Sequence, residues 1–116
     1  MNLNKGLEAI VKADPIIKLD SISILINEKD PLHVQRKQQQ RAIDNNMILV
    51  ALYYGNKDRT YKDLSYTIVD RSLINTPYEK YLSKLRGLTI IGKWDDSKFF
   101  IKTSYWNFLV KSRKRY

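Results

Sequence analysis

Two stretches of the chain place apolar residues at the spacing of an amphipathic helix. The first, residues 3–13, carries an apolar stripe formed by Leu3, Leu7, Ile10 and Val11. We expect this helix to end before Pro15, since the residue preceding a proline avoids the α region. A second helix is predicted from Pro31 to about Tyr54, because Asp30-Pro31 is typical of a helix start. Its apolar stripe comprises Ile43, Met47, Val50, Ala51 and Tyr54.

An alternation of apolar and polar residues predicts strands in the second half of the chain. Residues 61–70 alternate in this way, with Leu64, Tyr66 and Ile68 on one side. Residues 88–94 and 98–106 are predicted to form a hairpin around the turn Asp95-Asp96-Ser97. Helices followed by a small antiparallel sheet define an α+β domain.

The remaining segments are less regular. Gly55 is expected to end the long helix, and residues 56–60 are predicted to form a turn. Thr76-Pro77 resembles a helix start, and Gly87 would close that helix. Residues 16–26 fit either a short helix or a strand, because β-branched residues follow a possible capping residue.

The last predicted strand carries two candidate functional residues. Phe99, Ile101, Thr103 and Tyr105 are spaced two residues apart, so all four are expected on the same face of the strand. That face is expected to be the core face of the sheet. The hydroxyl groups of Thr103 and Tyr105 would then lie at its open end. Arg71 directly follows the predicted central strand. Thr and Tyr are also ordinary strand residues, and an arginine at a strand end is commonly solvated.

Composition narrows the classes of function. The 116 residues suffice for one domain, and they include no cysteine and a single histidine. Disulfides, thiolate catalysis and cysteine-based zinc sites are therefore excluded. No apolar run approaches the roughly 20 residues that span a bilayer, and the N-terminus does not read as a signal peptide. We expect a cytoplasmic protein without membrane contact, metal or cofactor.

Charge points to a polyanionic partner. Lys and Arg number 21 against 12 Asp and Glu, a formal net charge of +9. Such an excess on a small domain favours nucleic acid. Two basic clusters stand out, at Arg36, Lys37 and Arg41 and at Lys111, Arg113, Lys114 and Arg115. The second cluster is also typical of a solvated terminal segment.

His33, Lys37 and Arg41 are spaced four residues apart, which places them on one face of the predicted long helix. We call these three residues the basic ladder. An imidazole can transfer a proton near neutral pH, and two cations can stabilise charge on a phosphorus centre. The alternative is an exposed histidine in the first turn of a helix, followed by a solvated face.

The same stretch resembles a widespread family of small bacterial and phage domains of unknown function. The family has a helix reading H-x3-R/K-x3-R-G/A-I, then a glycine, a tyrosine-bearing strand and a closing strand I-x-T-x-Y. The similarity covers residues 30–106. The matching positions are His33, Lys37, Arg41, Ile43, Gly55, Tyr66, Arg71, Leu88, Ile90, Ile101, Thr103 and Tyr105. Two positions depart from the pattern: Lys37 replaces a frequent arginine, and Ala42 replaces the usual glycine.

This family is grouped with the barnase/RelE/colicin-like ribonuclease fold, in which N-terminal helices pack on a small curled antiparallel sheet. The resemblance implies an RNase-toxin-like core at residues 30–106 of a single domain, 1–116. Residues 1–29 would be an N-terminal helical extension and residues 107–116 a basic tail. A cognate antitoxin or immunity protein is an implied partner, beside RNA.

The resulting hypothesis is a metal-independent endoribonuclease, in which the RNA 2′-hydroxyl attacks the adjacent phosphorus. His33 would be the general base or acid, and the basic ladder with Arg71 would stabilise the phosphorane. Thr103 would help to position the phosphate. The predicted substrate-binding residues are Arg36, Tyr66, Tyr105, Lys111 and Arg113. The alternative is a non-catalytic RNA- or protein-binding module, such as a phage-encoded inhibitor, with exposed aromatic residues that stack on bases.

Overall fold

The computed structural model describes residues 3–17, 23–26, 42–60 and 62–110. The α-helices are α1 (Leu3–Ala13), α2 (Asn45–Tyr54), α3 (Asp70–Leu73) and α4 (Leu82–Leu85), with a 3₁₀ helix at Glu79–Tyr81. The strands are β1 (Ser23–Ile26), β2 (Asn56–Arg59), β3 (Leu64–Thr67), β4 (Leu88–Asp95) and β5 (Lys98–Trp106).

The five strands form one sheet in the order β1-β5-β4-β3-β2. The pairs β2–β3, β3–β4 and β4–β5 are antiparallel, whereas β1 runs parallel to β5. The predicted α+β class, with helices packed on a small antiparallel sheet, is confirmed. Strand β1 also decides the ambiguous segment 16–26 in favour of a strand over its last four residues.

Helix α2 lies at the centre of the core. Six consecutive residues are buried, Met47, Ile48, Leu49, Val50, Ala51 and Leu52. A helix that is apolar all round is buried on every side, and α2 contacts both α1 and the sheet. Helix α1 contributes Leu7 and Val11 to the same core. The apolar stripe predicted for α2, on one side of the helix only, was therefore too narrow.

The predicted long helix from Pro31 to Tyr54 is wrong as a single element. Helix α2 begins at Asn45, and the carboxylate of Asp44 caps it by accepting a hydrogen bond from the N–H of Met47 at 2.9 Å. Ala42 has a φ of 56°, in the left-handed region that interrupts a right-handed helix. Residues 31–41 lie outside the described residues.

Two further predictions need correction. Residues 56–59 form the edge strand β2 and not a turn, and all four of their side chains are exposed. Charged side chains on an edge strand oppose aggregation. Because they leave no alternation of apolar and polar residues, the sequence pattern did not predict this strand. The helix predicted from Thr76 to Gly87 is divided into the 3₁₀ turn and α4, and the short α3 was not anticipated.

The β4–β5 hairpin is confirmed. Asp95 ends β4, so the connection is the tight turn Asp96-Ser97, with Asp96 at a φ of 61°. Gly87 precedes the hairpin and has a φ of 88°, as its predicted role in closing a helix requires. A Cβ at Gly87 would also approach the carbonyl oxygen of Asn107 to 2.6 Å.

Candidate functional site

Strand β5 contains a β-bulge that decides which of its side chains share a face. Ile91 pairs with Thr103, but the next residue, Gly92, pairs with Ile101. Lys102 is therefore an extra residue on β5 without its own partner position on β4. A one-residue insertion reverses the inside–outside alternation of the strand beyond it.

The bulge moves the predicted functional residues to the other side of the sheet. Phe99 and Ile101 are fully buried in the core, and beyond the bulge Ser104 takes the buried position, 2% exposed. Thr103 and Tyr105 are half-buried and lie on the opposite face. The prediction that they share a face with Phe99 and Ile101 is wrong.

Polar side chains from four strands form a row on that opposite face. Tyr105 pairs with Thr89, Thr89 with Thr67, and Thr67 with Asn56. The hydroxyl oxygens of Thr67 and Thr89 are 3.1 Å apart, and Thr89 donates to the carbonyl oxygen of Gly87 at 3.2 Å. Since the Thr89 proton is used in that bond, Thr67 donates to Thr89.

A second row lies next to the first, where Thr103 pairs with Ile91, and Ile91 with Ser65. Together the rows give the sheet what we call the hydroxyl face, comprising Ser65, Thr67, Thr89, Thr103 and Tyr105. Thr89 is only 1% exposed, so it supports the row from within, whereas Ser65, Thr67, Thr103 and Tyr105 are partly exposed. Hydroxyl groups both donate and accept hydrogen bonds, so these four residues can contact phosphate and ribose oxygens.

Arg71 stands at one end of the first row. Its side chain is exposed, and Nη2 donates to Oδ1 of Asn56 at 3.3 Å. Asn56 and Tyr105 are three strands apart, so their backbones are separated by roughly 14 Å. Arg71 and Tyr105 thus mark the two ends of a polar row that is longer than one phosphate group.

Tyr66 is placed on the core face and is only 5% exposed. Its hydroxyl accepts a hydrogen bond from the indole N–H of Trp94 at 2.7 Å, and its ring packs edge-on against Phe99 with centroids 5.8 Å apart. This placement separates Tyr66 from Thr103 and Tyr105. Its geometry is that of a core residue and does not favour the predicted contact with substrate.

A small cavity lies beside the β2–β3 hairpin and the end of β4. Its volume is about 240 Å³, and it is lined by Arg59, Thr60, Lys62, Asp63, Leu64, Lys93 and Trp94. Asp63 forms an ion pair with Lys102, with Nζ and Oδ2 3.1 Å apart. Among the residues described, Oδ1 of Asp63 is buried without a hydrogen-bond partner. Nothing in the sequence pattern marks this cavity, because its lining comes from three strands and the β2–β3 connection.

A buried carboxylate, also missed from the sequence, joins three segments of the core. Oδ2 of Asp14 accepts hydrogen bonds from the hydroxyls of Tyr54 at 2.6 Å and Tyr78 at 2.8 Å, and Oδ1 accepts from the N–H of Ile16. Burial would raise the pKa of Asp14, but these hydrogen bonds outweigh it and hold the pKa below its usual value. Burial and the negative charge of Asp14 raise the pKa of both tyrosines.

An ion pair of low exposure lies next to Arg71 in sequence. Nε of Arg86 contacts Oδ1 of Asp70, and the Asp70 side chain is almost fully buried. Removing one partner of such a pair leaves the other charge buried and uncompensated, which is destabilising. The pair therefore holds helix α3 against the end of α4. Arg71 is positioned through this anchored helix.

Several predicted site residues cannot be placed. The basic ladder, together with Arg36, Lys111 and Arg113, lies outside the described residues, and their roles stay predictions. Within residues 3–17, 23–26, 42–60 and 62–110, no group of three His, Cys, Asp or Glu side chains is arranged to hold a metal ion. None of the helices in those ranges is long and apolar enough to cross a membrane.

Comparisons of the chain with protein families, with curated proteins and with solved structures found no match.

Proposed function

We propose that this chain is a metal-independent endoribonuclease-like toxin domain that binds RNA across the hydroxyl face. The observation that supports it most directly is the strand register, which brings Thr103, Tyr105 and the row leading to Arg71 onto one face. The net charge of +9 supplies attraction for a polyanion. The proposal places the domain in the cytoplasm and includes an antitoxin or immunity protein as its partner.

The proposed reaction transfers no group to the protein. The 2′-hydroxyl loses its proton to a general base, its oxygen bonds to the adjacent phosphorus, and the bond to the 5′-oxygen breaks. The leaving oxygen takes up a proton from water, and the hydroxide so formed takes back the proton held by the general base. The products are a 2′,3′-cyclic phosphate and a 5′-hydroxyl. His33 is the proposed proton-transfer residue, because its side chain alone titrates near neutrality when unperturbed.

In this proposal the hydroxyl face positions the RNA. Thr103 and Tyr105 donate hydrogen bonds to phosphate or ribose oxygens, and Arg71 neutralises a phosphate at the far end of the row. Lys37 and Arg41 are proposed to stabilise the negative charge of the phosphorane with their positive side chains.

The test is RNA cleavage in the presence of EDTA, with end analysis of the products. Wild type is expected to give 2′,3′-cyclic phosphate ends, and His33→Ala is expected to lose about 10²–10⁴-fold in rate. Thr103→Val and Arg71→Gln should each lose activity while melting like wild type. Lys84→Gln removes an exposed cation from α4 and is the control, with full activity expected.

A non-catalytic RNA-binding module is the second candidate. The cavity lined by Arg59, Lys62, Lys93 and Trp94 favours it, since cations beside an aromatic ring can hold RNA without cleaving it. If wild type binds RNA but leaves it intact, and His33→Ala keeps full biological activity, this candidate replaces the nuclease.

A further inference from the structure

We infer that the cavity beside the β2–β3 hairpin is a binding subsite for one unpaired nucleotide of RNA. Its phosphate would contact Arg59, Lys62 and Lys93, and its base would stack on Trp94. The inference rests on the proposed function and extends it, because it assigns a substrate subsite outside the hydroxyl face.

The charge of the cavity favours a phosphate. Three cationic residues, Arg59, Lys62 and Lys93, are among those that line it, and the one acidic residue is Asp63. Arg59 and Lys93 alone already outnumber that carboxylate. The ion pair with Lys102 offsets that carboxylate, whose side chain is only 14% exposed. The balance at the surface of the cavity is therefore positive, and a phosphate can be held there by charge-assisted hydrogen bonds.

Trp94 is fixed in a position that suits stacking. Its indole N–H is already donated to the hydroxyl of Tyr66, and its ring packs edge-on against Phe99 with centroids 5.1 Å apart. What Trp94 offers to the cavity is therefore ring surface and no free donor. A ring held in place loses little conformational freedom on binding, and it accepts any base because each base has a π-face.

The size of the cavity limits the ligand. Its volume of about 240 Å³ lies below the roughly 300–1,000 Å³ that is common for drug-sized ligands. It can enclose a single base or a single phosphate group, so the rest of the nucleotide, and any longer segment of RNA, must lie on the surface at its mouth.

Strand β4 connects the cavity with the hydroxyl face. Thr89, Ile91 and Lys93 alternate along β4 and lie on the same face. Lys93 is four residues beyond Thr89, which corresponds to roughly 14 Å along the strand. A short RNA that crosses the Thr89–Tyr105 row can therefore extend along β4 to Lys93, some distance from the reacting nucleotide. There a nucleotide can pass the end of β4 to Trp94, whose side chain lies on the other face of the strand beside Phe99.

The first experiment compares two double variants that lose the same charge. Arg59→Gln/Lys93→Gln changes the cavity, whereas Lys80→Gln/Lys84→Gln changes exposed cations on the 3₁₀ helix and α4. The probe is a fluorescein-labelled single-stranded RNA octamer, and its affinity is measured by fluorescence anisotropy across a salt series. All proteins in this comparison also carry His33→Ala, so that the probe is not cleaved during the measurement.

Counterion release sets the expected result. Each phosphate contact on a single strand contributes about −0.7 to the slope of log affinity against log salt. Loss of Arg59 and Lys93 should make this slope shallower by about 1.4. The Lys80/Lys84 control should keep the wild-type slope. Equal slopes and equal affinities in both double variants would mean a diffuse attraction and would overturn the inference.

The second experiment isolates the base. An octamer with the same phosphates but with abasic sugars should bind wild type about five- to a hundredfold more weakly, by the loss of stacking. Trp94→Leu should weaken binding to the normal octamer and should not change binding to the abasic one. A blunt RNA duplex of the same length offers no unpaired base, so equal weakening of duplex and octamer by Trp94→Leu would contradict the subsite.

Turnover measurements separate this inference from the proposed nuclease. If wild type cleaves RNA, Arg59→Gln/Lys93→Gln should raise KM and leave kcat nearly unchanged, because the subsite is remote from the reacting phosphate. If wild type cleaves nothing, the nuclease fails, while a selective loss of octamer binding in that variant still supports the subsite. Unchanged octamer binding overturns the subsite in either case.

Discussion

Asp14 shows how one buried carboxylate can tie distant segments together. It is 7% exposed, and it accepts hydrogen bonds from tyrosines 40 and 64 residues further along the chain. An aspartate before a proline predicts only the end of a helix, and nothing local in the sequence marks Tyr54 and Tyr78 as its partners. This contact could not be predicted because it exists only after the helix and the later turn have packed.

The pH dependence of stability should report on Asp14. Its folded pKa lies below the unfolded value, so its contribution to the free energy of unfolding is fully present above roughly pH 4 and falls as pH drops through the folded pKa. Asp14→Asn should lower stability at pH 7 by about 1–3 kcal/mol and should flatten the decline in acid. Thermal melts between pH 2.5 and 7 measure both effects.

Asp96→Asn, in the exposed hairpin turn, is the control and should keep the acid dependence of wild type. If Asp14→Asn and wild type lose stability in parallel on acidification, the proposed role of Asp14 is wrong.

Ala42 occupies a conformation that suits glycine better. Its φ of 56° costs an L-residue with a Cβ roughly 1–2 kcal/mol. Ala42→Gly should therefore raise the free energy of unfolding by about 1 kcal/mol, less the greater entropy of glycine in the unfolded chain. Urea denaturation provides the measurement.

Ala9, exposed within α1, is the matched control, and Ala9→Gly should lower stability by about 1 kcal/mol. A loss of stability in both variants would show that residue 42 does not adopt the left-handed conformation.

At the scale of elements, sequence patterns predicted those with a strong period and failed on those without one. The β4–β5 hairpin has alternating apolar residues on both sides of a polar turn, and it forms as predicted. Strand β2 has four exposed residues and no alternation, so only its pairing with β3 makes it a strand. The bulge at Lys102 could not be predicted either, because Thr103 and Tyr105 continue the two-residue spacing of Phe99 and Ile101 in the sequence.

Helix α2 provides the test of the core at this scale. Ile48 lies off the predicted stripe, yet it is as buried as Met47. Ile48→Ala and Met47→Ala should therefore each destabilise the domain by about 2–5 kcal/mol, whereas a one-sided helix would tolerate the first change. Asn45→Ala, exposed at the start of α2, should stay within about 0.5 kcal/mol of wild type in urea denaturation.

At the scale of the whole molecule, the net charge of +9 would make the proposed affinity for RNA depend on ionic strength. We expect affinity to fall steeply with salt as bound phosphates release counterions. Deletion of residues 111–116 should weaken binding and make the salt dependence shallower without abolishing cleavage. Anisotropy measured at low and physiological salt is the test, and an affinity that does not change between them would remove the nucleic-acid proposal.

The parallel pairing of β1 with β5 has a consequence for synthesis of the protein. Ser23 pairs with Lys98 and Ile26 with Ile101, so the first strand to be translated meets its partner only after about 75 more residues have been added. Closing so long a loop is entropically unfavourable and slows folding. The β1 edge of the sheet therefore cannot be completed on the ribosome until β5 has emerged from the exit tunnel. Any activity that needs the finished sheet would therefore appear only after the β5 segment, Lys98–Trp106, has been synthesised.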